Sequence, residues 1–310
     1  MKPRPELVLV GVTVLWGSTF IVTKDIVRDA PPLLYLVVRF GLAALLFVPL
    51  YARRLLALRD RRLIVDGAIL GVMNSLGMIL QVIGQAHTTA SKSAFITSLN
   101  TPLVPLVALA MYRTRPSPAQ LAGVVLATVG LALLTYPTGG GRWNVGDLYT
   151  AGCATIYSFT IVQIARRSRG HDAGALTAVQ IATATATFVV ALVVAKLLIA
   201  TLPPARLPDF AQLEARPFVL APRLGGELVY MAVVCTVATF ALQTWAMARM
   251  SATHAAIVFA LEPVFGTAIA VGVAGSAEWP NGRGVAGACV IMLAVAVSEV
   301  PRRRAAAAAS

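Results

Sequence analysis

The chain has 310 residues, 58% of them apolar and 13% charged, with 26 Lys and Arg against 13 Asp and Glu and a formal charge of +13. A soluble domain carries about 25% charged and about 45–50% apolar residues. Here the apolar residues run on unbroken, which excludes a soluble enzyme, a disordered chain and a fibrous protein. The basic residues sit in short clusters between apolar runs, where they set membrane orientation, and no soluble basic domain is present to bind nucleic acid.

A helix needs about 20 mostly apolar residues to cross a bilayer. That ruler predicts ten spans, roughly 6–24, 33–51, 63–86, 91–111, 118–136, 146–165, 174–201, 226–247, 254–274 and 283–300. The first follows Lys2 and Arg4 but is too long for a signal peptide and lacks a small-x-small cleavage site, so it is expected to stay in the mature protein. Pro31 and Pro32 open the second span, and Pro116 and Pro118 bracket the start of the fifth, where a first-turn N–H is unpaired in any case. Gly139, Gly140 and Gly141 separate the fifth span from the sixth, and the proline-rich stretch 202–225 reads as the one long extramembrane connection. Gly67, Gly71 and Ser75, spaced by four, form a smooth stripe for close helix packing.

Cys153, Cys235 and Cys289 lie in apolar segments without CxxC spacing, so neither a disulfide nor a metal site is expected, and nothing calls for a cofactor. With the N-terminus in the cytoplasm, sixteen Lys and Arg fall on the cytoplasmic side, in clusters such as Arg53, Arg54, Arg59, Arg61 and Arg62, against eight outside. This positive-inside bias puts both termini in the cytoplasm.

The two halves match. Laying Ser98–Val104 over Phe259–Phe265 brings Pro102 onto Pro263 and Ala94-Phe95 onto Ala255-Ala256. Gly11-x4-Trp16 matches Gly152-x4-Tyr157, and Gly123 matches Gly287. Five helices per half is odd, so the second half begins on the opposite face and the repeats are inverted, the architecture of alternating-access carriers with a midplane site. The predicted fold is an all-α integral membrane protein of ten transmembrane helices around a central cavity. Its units are a first repeat over 1–137, a second over 146–300 and a basic, Ala-rich cytoplasmic tail over 301–310.

Trp16-Gly17-Ser18-Thr19-Phe20, Arg39, the run TTASKSAFITSLNTPLVPL over 88–106, Gly146-Asp147 and Leu261-Glu262-Pro263 together resemble the EamA-type family of the drug/metabolite transporter superfamily. The resemblance covers essentially the whole chain. It implies a ten-helix, two-repeat carrier of small metabolites in a bacterial inner membrane, and it points most closely to the family's exporters of aromatic and neutral amino acids.

The residues themselves single out candidate sites. A charge inside a span costs at least about 2.5–3.5 kcal/mol and so faces the bundle interior. Arg39 either meets a substrate carboxylate or packs against backbone carbonyls to serve folding. Glu262 either takes a proton, making protons the coupling ion, or pairs with a substrate ammonium, or caps a helix broken by Pro263. Trp16, Tyr157 and Trp245, with Met78, Gln81, Asn100 and Gln243, are the expected lining of a substrate pocket. Pro102 and Pro263 are expected to kink their helices, line the central cavity and form parts of its gates. Lys92 is expected to snorkel to the surface. With no H-E-x-x-H, G-x-S-x-G or P-loop, no catalytic role is expected. The reading is a secondary exporter of small metabolites, amino acids first. A drug or polyamine exporter of the same fold and a non-transporting membrane scaffold are the alternatives.

Overall fold

The computed structural model describes residues 4–58, 60–135, 144–219, 221–274 and 282–307; Lys2, Arg59, Gly139–Gly141, Arg142 and the end of the tail lie outside these. Every regular element among them is helical, as a backbone in lipid requires if it is to satisfy its own N–H and C=O groups. In chain order they are α1 (Pro5–Asp29), α2 (Pro32–Leu58), α3 (Arg61–His87), α4 (Ala90–Ser98), α5 (Asn100–Tyr112), α6 (Pro118–Thr135), α7 (Val145–Arg167), α8 (Ala173–Thr201), α9 (Asp209–Glu214), α10 (Leu224–Ala232), α11 (Thr239–Met247), α12 (Ala252–Phe259), α13 (Glu262–Ala274) and α14 (Gly282–Ala307).

Short polar side chains start many of these helices by accepting orphan N–H groups. Asp60 caps α3, Thr89 caps α4, Asp172 caps α8 and Ser251 caps α12. Asn144 and Asp147 form a reciprocal capping box at α7.

Eight stretches are long and apolar enough to cross a membrane: α1, 32–52, α3, 92–112, α7, α8, 224–247 and 252–272. Two further apolar stretches among the described residues, Pro118–Leu134 of α6 and Gly282–Ser298 of α14, fall at the fifth and tenth expected spans.

Three of the eight are built from two pieces, for a local reason in each case. Between α4 and α5 the Leu99 N–H bonds to the Ile96 carbonyl at 3.2 Å, tightening the turn. Pro102 then sits in the first turn of α5, where no N–H is needed. Between α12 and α13 the chain turns at Ala260 and Leu261, and Pro263 is the second residue of α13. Each proline thus follows a helix break rather than bending a continuous helix. Between α10 and α11 a π-turn spans Val233–Ala238, where the Thr236 hydroxyl donates to the Met231 carbonyl at 2.8 Å.

Small residues set the closest approaches, as they do where lipid gives helices no hydrophobic reason to associate. A Cβ added to Gly17 of α1 would lie 2.7 Å from the Gly266 nitrogen of α13, and one on Gly287 of α14 would lie 2.5 Å from the Leu134 nitrogen of α6. Gly67 and Gly71 press α3 against Val179 and Gln180 of α8, the use expected for the stripe, and Ser75 turns its hydroxyl back onto the Gly71 carbonyl at 2.6 Å.

Helices α3 and α7 are fastened near both ends. At one end Asp147, fully buried, accepts from Lys92 Nζ at 2.5 Å, from Thr88 Oγ1 at 2.9 Å and from the Asn144 N–H at 2.8 Å. Lys92 therefore does not snorkel; a buried carboxylate three helices away in sequence holds it. At the other end Asp66 of α3 pairs with Arg167 and lies 3.0 Å from His171 Nε2.

The connection after α8 is folded onto the bundle. Glu214, at the end of α9, is fully buried and accepts from the Leu33 N–H at the start of α2 at 2.5 Å, while Lys196 Nζ donates to the Glu214 carbonyl at 2.8 Å. Burial pushes the Glu214 carboxyl above its ordinary value, against the pull of the Leu33 amide and Lys196.

Candidate functional site

A cavity lies among α1, α2, α3, α4, α5, α7, α11, α12 and α13, and helical spacing explains which residues reach it. Trp16, Thr19 and Thr23 lie three or four apart on α1; Asn74, Met78, Gln81 and Gln85 do the same on α3, with Val82 beside them. Helix α7 gives Tyr157, Thr160, Ile161 and Ile164, and α11 gives Phe240 and Gln243. The broken helices give Thr97, Asn100, Phe259 and Glu262 from the residues flanking their breaks, and Arg39 enters from α2. The volume is about 90 Å3, room for several waters.

One wall is aromatic. The Trp16 ring stacks on Phe259, with centroids 5.6 Å apart and planes at 27°, and meets Phe240 edge-on at 6.4 Å. Its Nε1 donates to Thr239 Oγ1 at 3.1 Å. Helix α3 adds three amides to the lining, Asn74, Gln81 and Gln85. Tyr157 donates its hydroxyl hydrogen to Gln81 Oε1 at 3.3 Å, and Asn74 Nδ2 lies 3.6 Å from Met78 Sδ.

The two charges in the cavity are in opposite situations. Arg39 is 4% exposed and gives Nε to Thr236 Oγ1 at 2.8 Å, Nη1 to the Tyr35 hydroxyl at 3.1 Å and Nη2 to the Cys235 carbonyl at 2.9 Å. Glu262 has no hydrogen bond or ion pair among the described residues, and it does not cap the helix it begins. A carboxylate at membrane depth with no protein partner is costly unless a proton or a ligand cation meets it.

Of the nine residues expected to line a substrate pocket, eight (Trp16, Arg39, Met78, Gln81, Asn100, Tyr157, Gln243 and Glu262) surround this one cavity. Trp245 does not line it; its ring carries the Arg249 guanidinium at 4.3 Å. Pro102 and Pro263 do not line it either, although Asn100 and Glu262 beside them do. Thr101 donates across to the Ala256 carbonyl at 3.4 Å, linking the two broken helices. Asn74, Gln85, Phe240 and Phe259 were not among the expected residues. The signal for the first two was present, since Asn74 and Gln85 lie one turn either side of Met78 and Gln81 on one face of α3. Among the described residues no three His, Cys, Asp or Glu side chains gather to hold a metal ion.

The sequence profile of the EamA-like transporter family matches the chain twice, over residues 4–136 and 144–299. The chain belongs to that family. Like this EamA-like protein in sequence is an uncharacterized transporter of Archaeoglobus fulgidus, 28% identical over 292 residues, which are 94% of this chain and 84% of the relative. Like it in fold is a protein of known crystal structure, with a TM-score of 0.72 over 97% of this chain and 99% of that one at 19% identity. The EamA-like chain is therefore a multi-pass membrane protein of a transporter family.

Proposed function

We propose that this EamA-like protein is a secondary exporter of small metabolites, amino acids first among them, working by alternating access across a bacterial inner membrane. The observation behind this reading is the Glu262 carboxylate, without a hydrogen-bond or ion-pair partner among the described residues, inside a cavity walled by aromatics and amides. Glu262 receives the substrate ammonium, Trp16 and Phe259 take its apolar part, and Asn100, Gln81 and Gln243 its polar groups. Protons are the coupling ion, with Glu262 holding one whenever no ammonium is bound.

All ten apolar helices cross the membrane in this reading, as two inverted five-helix repeats over 1–137 and 146–300 with the 301–310 tail in the cytoplasm. Support comes from the double match to the family profile and from the breaks at matching places in α4–α5 and α12–α13. Both termini are cytoplasmic. A cysteine at Gln212, which is exposed on α9, should then react with a membrane-impermeant thiol reagent in intact spheroplasts, whereas reaction only after permeabilisation would reverse the orientation.

Proteoliposomes containing the pure protein should take up labelled amino acids faster than empty vesicles. Flux equal to that of empty vesicles across a broad amino-acid panel contradicts the substrate assignment. The Glu262 carboxylate in the cavity lining also suits a cationic drug or a polyamine, and uptake of these without uptake of amino acids would favour that second reading. No flux of any solute would leave a membrane scaffold.

The helix breaks are the flexible points of this cycle. Replacing Pro102 or Pro263 by Ala restores a backbone N–H in the first turn of α5 or α13 and draws each broken pair toward a continuous helix. Each variant should fold, keep its substrate KM within about twofold and turn over about fivefold more slowly, because conformational exchange rather than contact is disturbed. Parental turnover in both would assign the prolines to packing alone.

A further inference from the structure

We infer that Arg39 is a positioning residue for Trp16, acting through the π-turn of the opposite half, and is not a ligand of substrate carboxylates. The inference rests on the proposed substrate site at Trp16 and deepens it.

Two hydrogen-bond chains meet on the π-turn at Val233–Ala238. In the first, Arg39 Nε donates to Thr236 Oγ1 at 2.8 Å, and that hydroxyl donates to the Met231 carbonyl at 2.8 Å. Arg39 Nη2 bonds the neighbouring Cys235 carbonyl at 2.9 Å, and its guanidinium carbon lies 5.5 Å from the centre of the Phe40 ring. In the second, Trp16 Nε1 donates to Thr239 Oγ1 at 3.1 Å, and Thr239 turns its own hydrogen toward the Thr236 carbonyl at 3.5 Å. Thr236 belongs to both chains, so it connects the cation to the indole.

A π-turn shifts the carbonyl ladder of its helix by one residue and persists only where its surroundings supply partners. Arg39 supplies them here with a planar fork of donors that Lys cannot reproduce. The start of α11 is thereby fixed, and with it the hydroxyl that fixes the Trp16 indole between Phe259 and Phe240. Thr239 is fully buried and does not line the cavity, so it touches Trp16 without touching a ligand.

The two roles for Arg39 separate on ligands that differ by one carboxylate. In proteoliposomes, Arg39→Gln and Thr239→Val should each raise KM about tenfold for tyrosine and by the same factor for tyramine, the loss of one buried hydrogen bond to a charged or aromatic group. The kcat should stay within about threefold of the parent, and Thr239→Ser, which keeps the hydroxyl, should restore both KM values. A rise for tyrosine with none for tyramine in Arg39→Gln would make Arg39 a carboxylate ligand. An unchanged KM for both ligands in Thr239→Val would break the chain to Trp16.

If the parent moves neither ligand, the proposed substrate class fails but the positioning role is still decided by fluorescence. With Trp143, Trp245 and Trp279 replaced by Phe, acrylamide quenching of the remaining Trp16 should increase in Arg39→Gln and in Thr239→Val but not in Thr239→Ser. Quenching equal to the parent in the first two overturns the inference.

Discussion

Replacing Glu262 by Gln is expected to lower the uptake of amine-bearing substrates into proteoliposomes by about 100-fold and to abolish the response to an imposed pH gradient. The size follows from the setting. The carboxylate has no hydrogen-bond or ion-pair partner among the described residues, so a bound ammonium would be its partner, and such a pair in a desolvated site is worth about 2–5 kcal/mol. The amide keeps the shape and removes only the charge and the proton. The bundle should be unharmed, because no described contact of the side chain is lost. Uptake in Glu262→Gln within threefold of the parent, with the pH response intact, would remove Glu262 from the cycle.

Replacing Asp147 by Ala is expected to destabilise the protein by about 3–5 kcal/mol, the cost of leaving a buried charge without its partner. Its side chain is fully buried and satisfies Lys92, Thr88 and the Asn144 N–H together, so one truncation strands the ammonium and unmakes the capping box of α7. Unfolding followed by SDS titration should show the loss. Replacing Lys92 by Met in the same chain should recover part of it, since the stranded charge is then gone. A single Asp147→Ala variant as stable as the parent would mean that α3 and α7 are held by their apolar contacts alone.

Much of the architecture was legible in the chain because lipid leaves few options. Unbroken apolar runs and their proline, glycine and capping punctuation placed the starts of the expected spans within two residues of helix starts, while α1, α2 and α14 run on five to seven residues past the expected ends. The α6 and α14 helices stand at the expected fifth and tenth spans, Pro118–Thr135 and Gly282–Ala307. The π-turn had no sequence signal at all: Val233–Ala238 has ordinary β-branched and small residues, and the side chain bonded to it at Thr236 and Cys235 is Arg39, some 200 positions away.

The candidate cavity was legible where a polar or aromatic residue stands in an apolar segment, as at Trp16, Gln81, Asn100 and Gln243. It was illegible where the residue type is ordinary for lipid, as with Phe240, Phe259, Ile161 and Ile164. Trp245 shows the converse. It looks like Trp16 in sequence, but its ring is covered by Arg249 instead of facing the cavity. Charge alone did not reveal roles either. Lys92 read as a surface lysine because its partner, Asp147, lies across the boundary between the two halves.

The most direct test of the central claim is reciprocal access to the two ends of the one cavity. Thr23 lines it near the end of α1 and Ile164 near the end of α7, on opposite sides of the membrane in the proposed topology. With Cys153, Cys235 and Cys289 replaced by Ser, single cysteines at Thr23 and at Ile164 should both be labelled by small thiol reagents. A saturating transported amino acid with an imposed pH gradient should raise the rate at one position and lower it at the other. Rates that rise or fall together, or that ignore substrate and gradient, would contradict alternating access through this cavity.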